Sequence, residues 1–336
     1  MATKIGINGF GRIGRLTFKS IMEHHKDELD IVAVNDLTDT KTNAHLLKWD
    51  STYGRYPGDV EATADSIVVN GKKVRVLAER DPAKIAWKDY GVQIVVESTG
   101  VFTDGHKAAA HLHDSVKKVI ISAPATNEDI TLVLGVNEDK YVPVRHNIIS
   151  NASCTTNCVA QVINILHKNF TITKGLMTTV HSYTNDQRIL DTVHKDLRRA
   201  RTAGVSQIPT TTGAARLVGV IIPDLKGKVD GLSIRVPTVT VSVVDFVAEL
   251  GHNVTKDEVN QVFKNAAAKM PKYIEYCEEE LVSADFKGNP ASCIVDAPTT
   301  MVIGANMVKV VAWYDNEWGY STRLGDMCAY IASKGL

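Results

Sequence analysis

Cys154 is a candidate nucleophile because of its position in the sequence. An apolar strand pattern at residues 148–150 leads into small polar residues, and apolar residues then recur at helical spacing over 159–166. Cys154 is therefore expected in the first turn of a helix, where free N–H groups and the helix dipole favour the thiolate. The alternative is a cysteine packed as a small buried hydrophobe. The polar neighbours favour the nucleophile, whereas Cys158 on the same helix is expected to be structural.

A glycine motif opens the chain. Residues 4–8 have the pattern of a buried strand, residues 9–14 read Gly-Phe-Gly-Arg-Ile-Gly, and a helical pattern follows over residues 15–22. In this context Gly9 permits a tight turn, Gly11 lets a pyrophosphate approach the backbone, and Gly14 lets the helix pack against the strand. The motif therefore predicts a dinucleotide site with the pyrophosphate at a helix N-terminus.

Asp36 follows a second buried strand at residues 30–35. An acid at about this offset binds the ribose hydroxyls of a dinucleotide and repels an additional 2′-phosphate, which favours NAD over NADP. The alternative is an ordinary helix cap or turn residue. Given the preceding glycine motif, we interpret Asp36 as part of an NAD site.

Thr99 and Ser122 lie just beyond two further buried strands, at residues 92–97 and 117–121. Open α/β sheets bind ligands at the carboxyl ends of their parallel strands. The two hydroxyl residues are therefore candidates to line the cofactor cleft, although either could be a turn residue.

His181 ends a strand pattern at residues 176–180 in the second half of the chain. A histidine can deprotonate a thiol and donate a proton to an oxyanion. The chain has 11 histidines, so spacing alone does not pair His181 with Cys154. The long polar segment 182–203 that follows is typical of a functional or interface loop.

Two features could bind anions. Thr212 and Gly213 lie in a hydroxyl-rich segment that leads into a helix, which could form an anion nest or simply an N-cap. Arg235 lies in an alternating, antiparallel-type strand region at residues 229–250. An arginine on a strand is either solvent-facing or, in a cleft, a phosphate clamp.

Composition limits the class of protein. The chain has 336 residues, enough for two domains, and 44% hydrophobic residues, as in soluble globular proteins. The formal net charge of +0 argues against a dedicated nucleic-acid or membrane-surface protein. The five cysteines lack the spacing of a disulfide framework, which fits a reducing compartment. The chain contains no CxxC pair, so the cysteine spacing does not suggest a zinc site. With no signal-peptide pattern and no long apolar run, we expect a cytoplasmic protein without a metal site.

The pattern of elements predicts two domains of different type, because a βαβ first half is followed by a strand-rich second half. Several stretches, spread over nearly the whole chain, resemble the phosphorylating glyceraldehyde-3-phosphate dehydrogenases of bacterial or organellar type. The matching stretches are residues 7–15, 150–157, 181–184, 212–215, 235–238 and 313–320.

The resemblance implies an α/β fold with a Rossmann-type dinucleotide-binding domain and an α+β catalytic domain with a mostly antiparallel sheet. It implies an NAD-binding domain at residues 1–150, with the final helix at 317–336 packing back on it, and a catalytic domain at 151–316. It also implies a homotetramer, in which the long polar segment reaches the cofactor of a neighbouring subunit.

The resemblance also implies roles for individual residues. Cys154 would be the nucleophile, and His181 would activate it and stabilise the developing oxyanion. Thr184 and Arg235 would hold the phosphate of the substrate. The incoming inorganic phosphate would be held by four residues: Ser153, Thr155, Thr212 and Gly213.

For the cofactor, the resemblance implies that Asn316 holds the nicotinamide carboxamide and Asp36 the adenosine ribose. The other implied contacts are Arg12 and Ile13 at the pyrophosphate and Arg80 and Ser122 along the cofactor site.

The implied reaction oxidises glyceraldehyde 3-phosphate to 1,3-bisphosphoglycerate with NAD and inorganic phosphate. A thiolate adds to the aldehyde, hydride transfer leaves a thioester, and phosphate then releases an acyl phosphate. One departure concerns Thr192 and Val193, where many NAD-specific members of the family carry Leu-Pro. We therefore expect a preference for NAD with some use of NADP.

Alternatives remain open at this point. Erythrose-4-phosphate dehydrogenases share the fold and the cysteine, and sequence patterns barely separate the two activities. The more distant aspartate-semialdehyde dehydrogenases use NADP, which Asp36 disfavours. A thiol redox sensor or an RNA-binding secondary role is a different class, and the balanced charge argues against RNA binding.

Overall fold

The computed structural model describes residues 2–336, which divide into two compact units. The first unit comprises residues 2–132, 139–152 and 321–336, and the second comprises residues 133–138 and 153–320. No helix in the described part of the chain is long and apolar enough to cross a membrane.

The first unit is built on a nine-stranded sheet with the order β10-β11-β9-β8-β1-β2-β7-β6-β5. Its strands are β1 (Thr3–Asn8), β2 (Leu29–Asn35), β3 (Trp49–Asp50), β4 (Gly54–Arg55), β5 (Val60–Ala62), β6 (Ser66–Val69), β7 (Lys72–Leu77), β8 (Ile94–Glu97), β9 (Lys118–Ile121), β10 (Ile130–Thr131) and β11 (Ile148–Ser150). Its helices are α1 (Arg12–His24), α2 (Thr40–Lys48) and α3 (Gly105–Ala108). Strands β3 and β4 form a separate pair.

The core strands of this sheet are parallel, from β10 through β1 and β2 to β7, and only β5, β6 and β7 pair antiparallel. Buried apolar runs such as β8 and β9 fill both faces, as parallel sheets covered by helices require. The β6–β7 hairpin turns at Asn70 and Gly71, both with positive φ. The Rossmann-type arrangement expected from the sequence is confirmed.

The glycine motif forms the tight turn between β1 and α1. Gly9 has φ +87°, and a Cβ there would lie 2.7 Å from the Thr99 nitrogen. A Cβ on Gly14 would lie 2.2 Å from the Gly9 carbonyl oxygen, so only glycine allows this packing. Helix α1 begins at Arg12, three residues earlier than the sequence pattern indicated, because Gly11 is extended and serves as the N-cap.

The second unit contains an eight-stranded sheet with the order β13-β14-β12-β15-β19-β17-β16, and β18 pairs with β19. Its strands are β12 (Ile172–Ser182), β13 (Ile208–Thr211), β14 (Val229–Val236), β15 (Ser242–Leu250), β16 (Ile274–Cys277), β17 (Cys293–Asp296), β18 (Met301–Ile303) and β19 (Met307–Tyr314). Its helices are α4 (Cys154–Phe170), α5 (Ala214–Ile221), α6 (Lys256–Lys269) and α7 (Trp318–Lys334), of which α7 continues into the first unit.

Most pairs in this second sheet are antiparallel, which confirms the expected α+β type. Strands β14 and β15 do not pair with each other, because β12 lies between them and runs parallel to β14. This parallel register places the Cα of Arg235 opposite that of His181.

Candidate active site

Cys154 is the first residue of α4. Ser153 is the N-cap, and its hydroxyl accepts a hydrogen bond from the Thr156 backbone N–H at 3.0 Å. Ala152, just before it, has φ +54°, a left-handed conformation that is uncommon for a residue with a side chain. The sulfur therefore lies at the helix N-terminus, with a cap that supports the turn.

His181 lies at the end of β12, and the structure brings it to Cys154. The Cys154 Sγ is 3.4 Å from the His181 Nε2. The pairing could not be obtained from spacing, since it depends on how α4 packs on the sheet. An imidazole at this distance can exchange a proton with the thiol.

Burial opposes charge on either member of this pair. It raises the pKa of the Cys154 thiol, an effect that the Arg235 guanidinium partly offsets. It also lowers the pKa of His181 to about 3, and the Arg235 charge acts in the same direction. The helix N-terminus alone was expected to lower the pKa of the Cys154 thiol, but the net shift is upward. The reason is that the sulfur is more enclosed than its polar neighbours in the sequence suggested.

Proton transfer within the pair differs from ionising either group alone. A proton that moves from Sγ to Nε2 creates two opposite charges 3.4 Å apart. Their attraction is on the order of 5 kcal/mol in a medium of effective dielectric constant 20, which counteracts the burial penalty. The thiolate and the imidazolium are therefore expected to form together, as one coupled unit.

Tyr314, at the end of β19, supports both members of the pair. Its hydroxyl lies 2.8 Å from the Thr155 Oγ1 and 2.9 Å from the Thr179 Oγ1. Its ring meets the His181 imidazole edge-on, with 5.9 Å between the ring centroids. Burial raises the pKa of Tyr314, so the phenol stays neutral. Tyr314 thus connects the first turn of α4 to the strand that carries His181.

Asn316 is held by two serines that the sequence analysis did not identify. The Ser182 and Ser242 hydroxyls donate to the Asn316 Oδ1 at 2.8 and 3.0 Å. The Ser242 Oγ also accepts a hydrogen bond from the Ser182 N–H at 3.1 Å, so its own proton must point to Asn316. This orientation leaves the Asn316 amide N–H₂ to donate elsewhere. Neither serine stands out in the sequence, since Ser182 opens the long polar segment and Ser242 lies in an alternating strand pattern.

The predicted phosphate-binding residues fall into two groups. The Thr156 Oγ1 donates to the Ala214 carbonyl at 3.5 Å, which joins the start of α4, with Ser153 and Thr155, to the start of α5, with Thr212 and Gly213. Thr212 also accepts a hydrogen bond from the Ala214 N–H at 3.2 Å, so it has a capping role as well.

Arg235 and Thr184 are the second group, of which Arg235 contacts His181 and Thr184 lies three residues beyond His181 in the chain. The Arg235 guanidinium lies 2.7 Å from the His181 Nδ1. Thr184 donates through its N–H and its hydroxyl to the Gln187 Oε1 at 2.9 and 3.2 Å. Arg199, in the long polar segment, donates to the Thr211 carbonyl at 3.4 Å and pairs with Asp186.

A cavity of about 410 Å³ lies in the first unit at the carboxyl ends of β1, β2 and β8. Five of the predicted cofactor residues line it: Gly9, Gly11, Asp36, Arg80 and Thr99. The lining does not include the other five, Arg12, Ile13, Gly14, Ser122 and Asn316. Arg12 instead lies 3.4 Å from Asp50, and Ser122 follows β9 as predicted.

The cavity fits the adenosine end of a dinucleotide. Asp36 accepts hydrogen bonds from the Phe10 N–H and the Thr38 N–H, both at 2.9 Å, which fixes its carboxylate at the end of β2. A Cβ on Gly11 would meet no atom within 4 Å, so the backbone there is open to an approaching ligand. These are the properties that recognition of a ribose and a pyrophosphate requires.

A buried hydrogen-bond network supports the floor of this cavity. Glu97 accepts from the Thr99 N–H at 2.8 Å, and it also contacts the Asn8 amide and the His111 Nε2. The Trp87 Nε1–H donates to the His111 Nδ1 at 3.1 Å, so the His111 Nε2 must carry the proton that points to Glu97. The sequence alone does not indicate this network, because its members are far apart in the chain.

Comparison with known families gives two matches. Residues 3–105 match the family described as the NAD binding domain of glyceraldehyde 3-phosphate dehydrogenase, and residues 153–316 match its C-terminal domain. The chain is 59% identical to the glyceraldehyde-3-phosphate dehydrogenase of Geobacillus stearothermophilus over the full length of both chains. It is also 57% identical to glyceraldehyde-3-phosphate dehydrogenase 1 of Bacillus cereus, over 99% of this chain and 100% of the relative.

The chain belongs to the glyceraldehyde-3-phosphate dehydrogenase family. The family resemblance stated from the sequence is thereby confirmed, and so is NAD as the cofactor of the first unit. The match over residues 3–105 includes Gly9, Gly11, Asp36 and Thr99, which line the cavity. Within residues 2–336, no group of three or more His, Cys, Asp or Glu side chains is arranged to hold a metal ion.

Proposed function

We propose that this chain oxidises D-glyceraldehyde 3-phosphate to 1,3-bisphosphoglycerate, with NAD and inorganic phosphate, through a thioester on Cys154. The observation that carries the proposal is the Cys154–His181 contact of 3.4 Å at the N-terminus of α4, in a chain of this family. The name shared by the relatives from Geobacillus stearothermophilus and Bacillus cereus supports the choice of substrate.

The first half of the reaction uses the proton shared by the catalytic pair. His181 takes the thiol proton at Nε2 while the Cys154 sulfur adds to the aldehyde carbon. The Nε2–H then donates to the oxygen of the thiohemiacetal, so that no free alkoxide forms. When this proton returns to Nε2, the C–H bond releases its electron pair as hydride and a thioester remains on Cys154. NAD supplies the hydride acceptor when it is bound.

The second half needs an anion close to the thioester. We propose that Ser153, Thr155, Thr212 and Gly213 hold inorganic phosphate, which attacks the thioester carbon and displaces the Cys154 thiolate. The proximity of the first turns of α4 and α5 supports this assignment. Thr184 and Arg235 are assigned to the phosphate of the substrate, and the position of Arg235 beside His181 supports the second of these assignments.

For the cofactor, the proposed contacts are those of the sequence analysis. Asp36 would hold the adenosine ribose, and Arg12, Ile13 and the three glycines would surround the pyrophosphate. Arg80, Thr99 and Ser122 would line the rest of the cofactor site. Asn316 would donate its amide N–H to the nicotinamide carboxamide. The two serine hydroxyls on the Asn316 Oδ1 support this role, because they turn the N–H₂ group outward.

We further propose an NAD-binding domain at residues 1–150 that includes the final helix at 317–336, and a catalytic domain at 151–316. The division of the chain into two compact units supports these boundaries. A homotetramer is supported by exposed apolar side chains in and beside the long polar segment: Ile189, Leu190, Val193, Leu197 and Val205 are 73–89% exposed. Five unpaired cysteines support a cytoplasmic location.

Steady-state kinetics test the proposal. Cys154→Ser is expected to abolish turnover, because a hydroxyl is not ionised near neutral pH, and retention of near-complete activity would exclude the thioester route. Comparing kcat/KM for glyceraldehyde 3-phosphate and erythrose 4-phosphate separates the two related activities. Repeating the assay with NADP shows whether the chain also uses NADP, as the presence of Thr192 and Val193 leads us to expect.

A further inference from the structure

Another cavity, of about 350 Å³, lies in the second unit between the C-terminal halves of α4 and α6. Cys154 begins α4, and the first α4 residue that lines this cavity is Asn164. Because a helix rises about 1.5 Å per residue, the two residues lie about 15 Å apart along the helix axis. The cavity is therefore separate from the catalytic pair. Its polar lining consists of Asn164, Lys168 and Asn169 from α4 and of Asn265 and Lys269 from α6.

The Asn164 side chain is buried but has no partner in the protein. The residue is 6% exposed, and its side-chain amide makes no hydrogen bond with any group of residues 2–336. The amide atoms are not enclosed by protein, so they face the cavity that the residue lines. An amide that leaves bulk water without a hydrogen-bond partner costs free energy. A ligand in the cavity that bonds to the amide would remove this cost.

The charge of the cavity wall is positive. Lys168 and Lys269 form no ion pair with the described residues, and the lining contains no Asp or Glu. Each lysine lies in the last turn of its helix, where a cation also offsets the helix dipole. That role does not provide a partner for the Asn164 amide. The two cations and the unpaired amide together indicate an anionic ligand with polar groups.

The wall opposite α4 is held in place by the protein itself. The Gln161 Nε2 donates to the Leu134 carbonyl oxygen at 2.7 Å, which joins α4 to the segment that contains Gly135. Gly135 lines the cavity with φ +86°, and a Cβ there would lie 2.8 Å from the Tyr273 ring. Only glycine allows the segment to pack this closely. A cavity whose wall is already formed loses less free energy when it binds a ligand.

We propose that this cavity binds a small phosphorylated polyol, with the phosphate at the two lysines and the hydroxyl groups at the asparagine amides. Two ammonium groups match the two negative charges of a phosphate monoester, and lysine binds phosphate as a point charge. The proposal does not depend on the proposed function, because none of the lining residues belongs to the catalytic or cofactor residues.

The amides leave both donors and acceptors for hydroxyl groups. The Asn169 Nδ2 donates to the Ile165 carbonyl oxygen at 2.8 Å, so the Asn169 Oδ1 can accept from a ligand. The Asn265 Oδ1 accepts from the Gln261 Nε2 at 2.8 Å, so the Asn265 N–H₂ can donate. Asn164 offers both kinds of group. A hydroxyl is a donor and an acceptor at once, which is the pairing that this set of amides provides.

Hydrogen–deuterium exchange on the full-length protein tests the proposal, because it locates binding along the chain. The probes are glycerol 3-phosphate, inorganic phosphate and glycerol, each titrated up to about 10 mM. Glycerol 3-phosphate is expected to slow exchange, in a saturable way, in peptides that cover residues 161–170 and 262–272. Protection of residues 150–158 would report the proposed catalytic site and is evaluated separately.

Lys269→Ala is expected to raise the dissociation constant obtained from these peptides about tenfold, since a charge-assisted contact with phosphate is lost. The matched control is Lys264→Ala, which removes a cation from the same helix. Lys264 pairs with Glu278 and does not line the cavity, so this variant is expected to bind like wild type.

Asn164→Leu tests the contact with the hydroxyl groups. It is expected to weaken binding of glycerol 3-phosphate about tenfold and binding of inorganic phosphate less than about twofold. The substitution removes no hydrogen bond within the protein, so the variant is expected to fold, which circular dichroism checks.

The proposal is overturned if glycerol 3-phosphate gives no saturable protection of these peptides, or if Lys264→Ala weakens binding as much as Lys269→Ala does. Equal affinity for inorganic phosphate and glycerol 3-phosphate would refute the polyol, and equal protection by glycerol would refute the recognition of charge. Turnover of glyceraldehyde 3-phosphate, measured on the same samples, tests the proposed function independently of these outcomes.

Discussion

Replacing Tyr314 by phenylalanine removes one oxygen atom that connects both catalytic residues to their supports. The hydroxyl lies 2.8 Å from the Thr155 Oγ1 and 2.9 Å from the Thr179 Oγ1, and both threonines are buried. Leaving a buried polar group unsatisfied costs about 1–3 kcal/mol, so the free energy of unfolding is expected to fall by about 2–4 kcal/mol. Phenylalanine fills the same space, so no cavity contributes to this loss.

The activity is expected to fall as well, because the two threonines hold the neighbours of the reacting atoms. Thr155 follows Cys154 in α4, and Thr179 lies two residues before His181 in β12. Small displacements of reacting groups cost up to about a hundredfold in rate. We therefore expect kcat/KM to fall by about tenfold to a hundredfold in Tyr314→Phe.

Urea unfolding followed by tryptophan fluorescence measures the first effect, and NADH formation measures the second. The matched control is Tyr141→Phe, since the Tyr141 hydroxyl is buried without a hydrogen-bond partner in the described part of the chain. That variant is expected to be as stable as wild type or slightly more so. If Tyr314→Phe instead lost less than about 0.5 kcal/mol and kept its kcat/KM, the hydroxyl would not be a support of the site.

Three further predictions concern the first unit. Glu97→Gln is expected to destabilise the protein by about 2–4 kcal/mol in urea unfolding, because its N–H₂ group would face donors, and an unchanged midpoint would contradict this. Asp36→Ala is expected to raise the kcat/KM ratio of NADP to NAD about tenfold, since the repulsion of a 2′-phosphate is lost, and an unchanged ratio would show that Asp36 does not select the cofactor. Burial lowers the pKa of Lys19, so the unfolded chain binds more protons between that pKa and 10.5, and stability rises with pH in this window. Lys19→Met is expected to lack this rise, and unfolding midpoints that follow wild type at every pH would refute it.

Features of the fold that depend on neighbouring residues could be predicted from the sequence. The turn at Gly9 and the start of α4 at Cys154 depend on neighbouring residues, through a positive φ in one case and a capping serine in the other. The start of α1 was placed three residues too late, because the pattern of apolar residues does not show that Gly11 is extended.

The contacts that assemble the site could not be predicted in the same way. His181 is one of 11 histidines, and its contact with Cys154 depends on helix packing and strand order. The direction of the thiol pKa shift depends on how many atoms enclose the sulfur, which a one-dimensional pattern does not contain. The orientation of the Asn316 amide depends on Ser242, from a strand 74 residues away in sequence.

The most direct test of the account is NADH formation by the purified protein with glyceraldehyde 3-phosphate and NAD, with and without inorganic phosphate. The account predicts sustained turnover that requires phosphate, because the Cys154 thioester must be released by phosphate attack. Turnover that continues unchanged without phosphate, or no turnover under either condition, would contradict the proposed route.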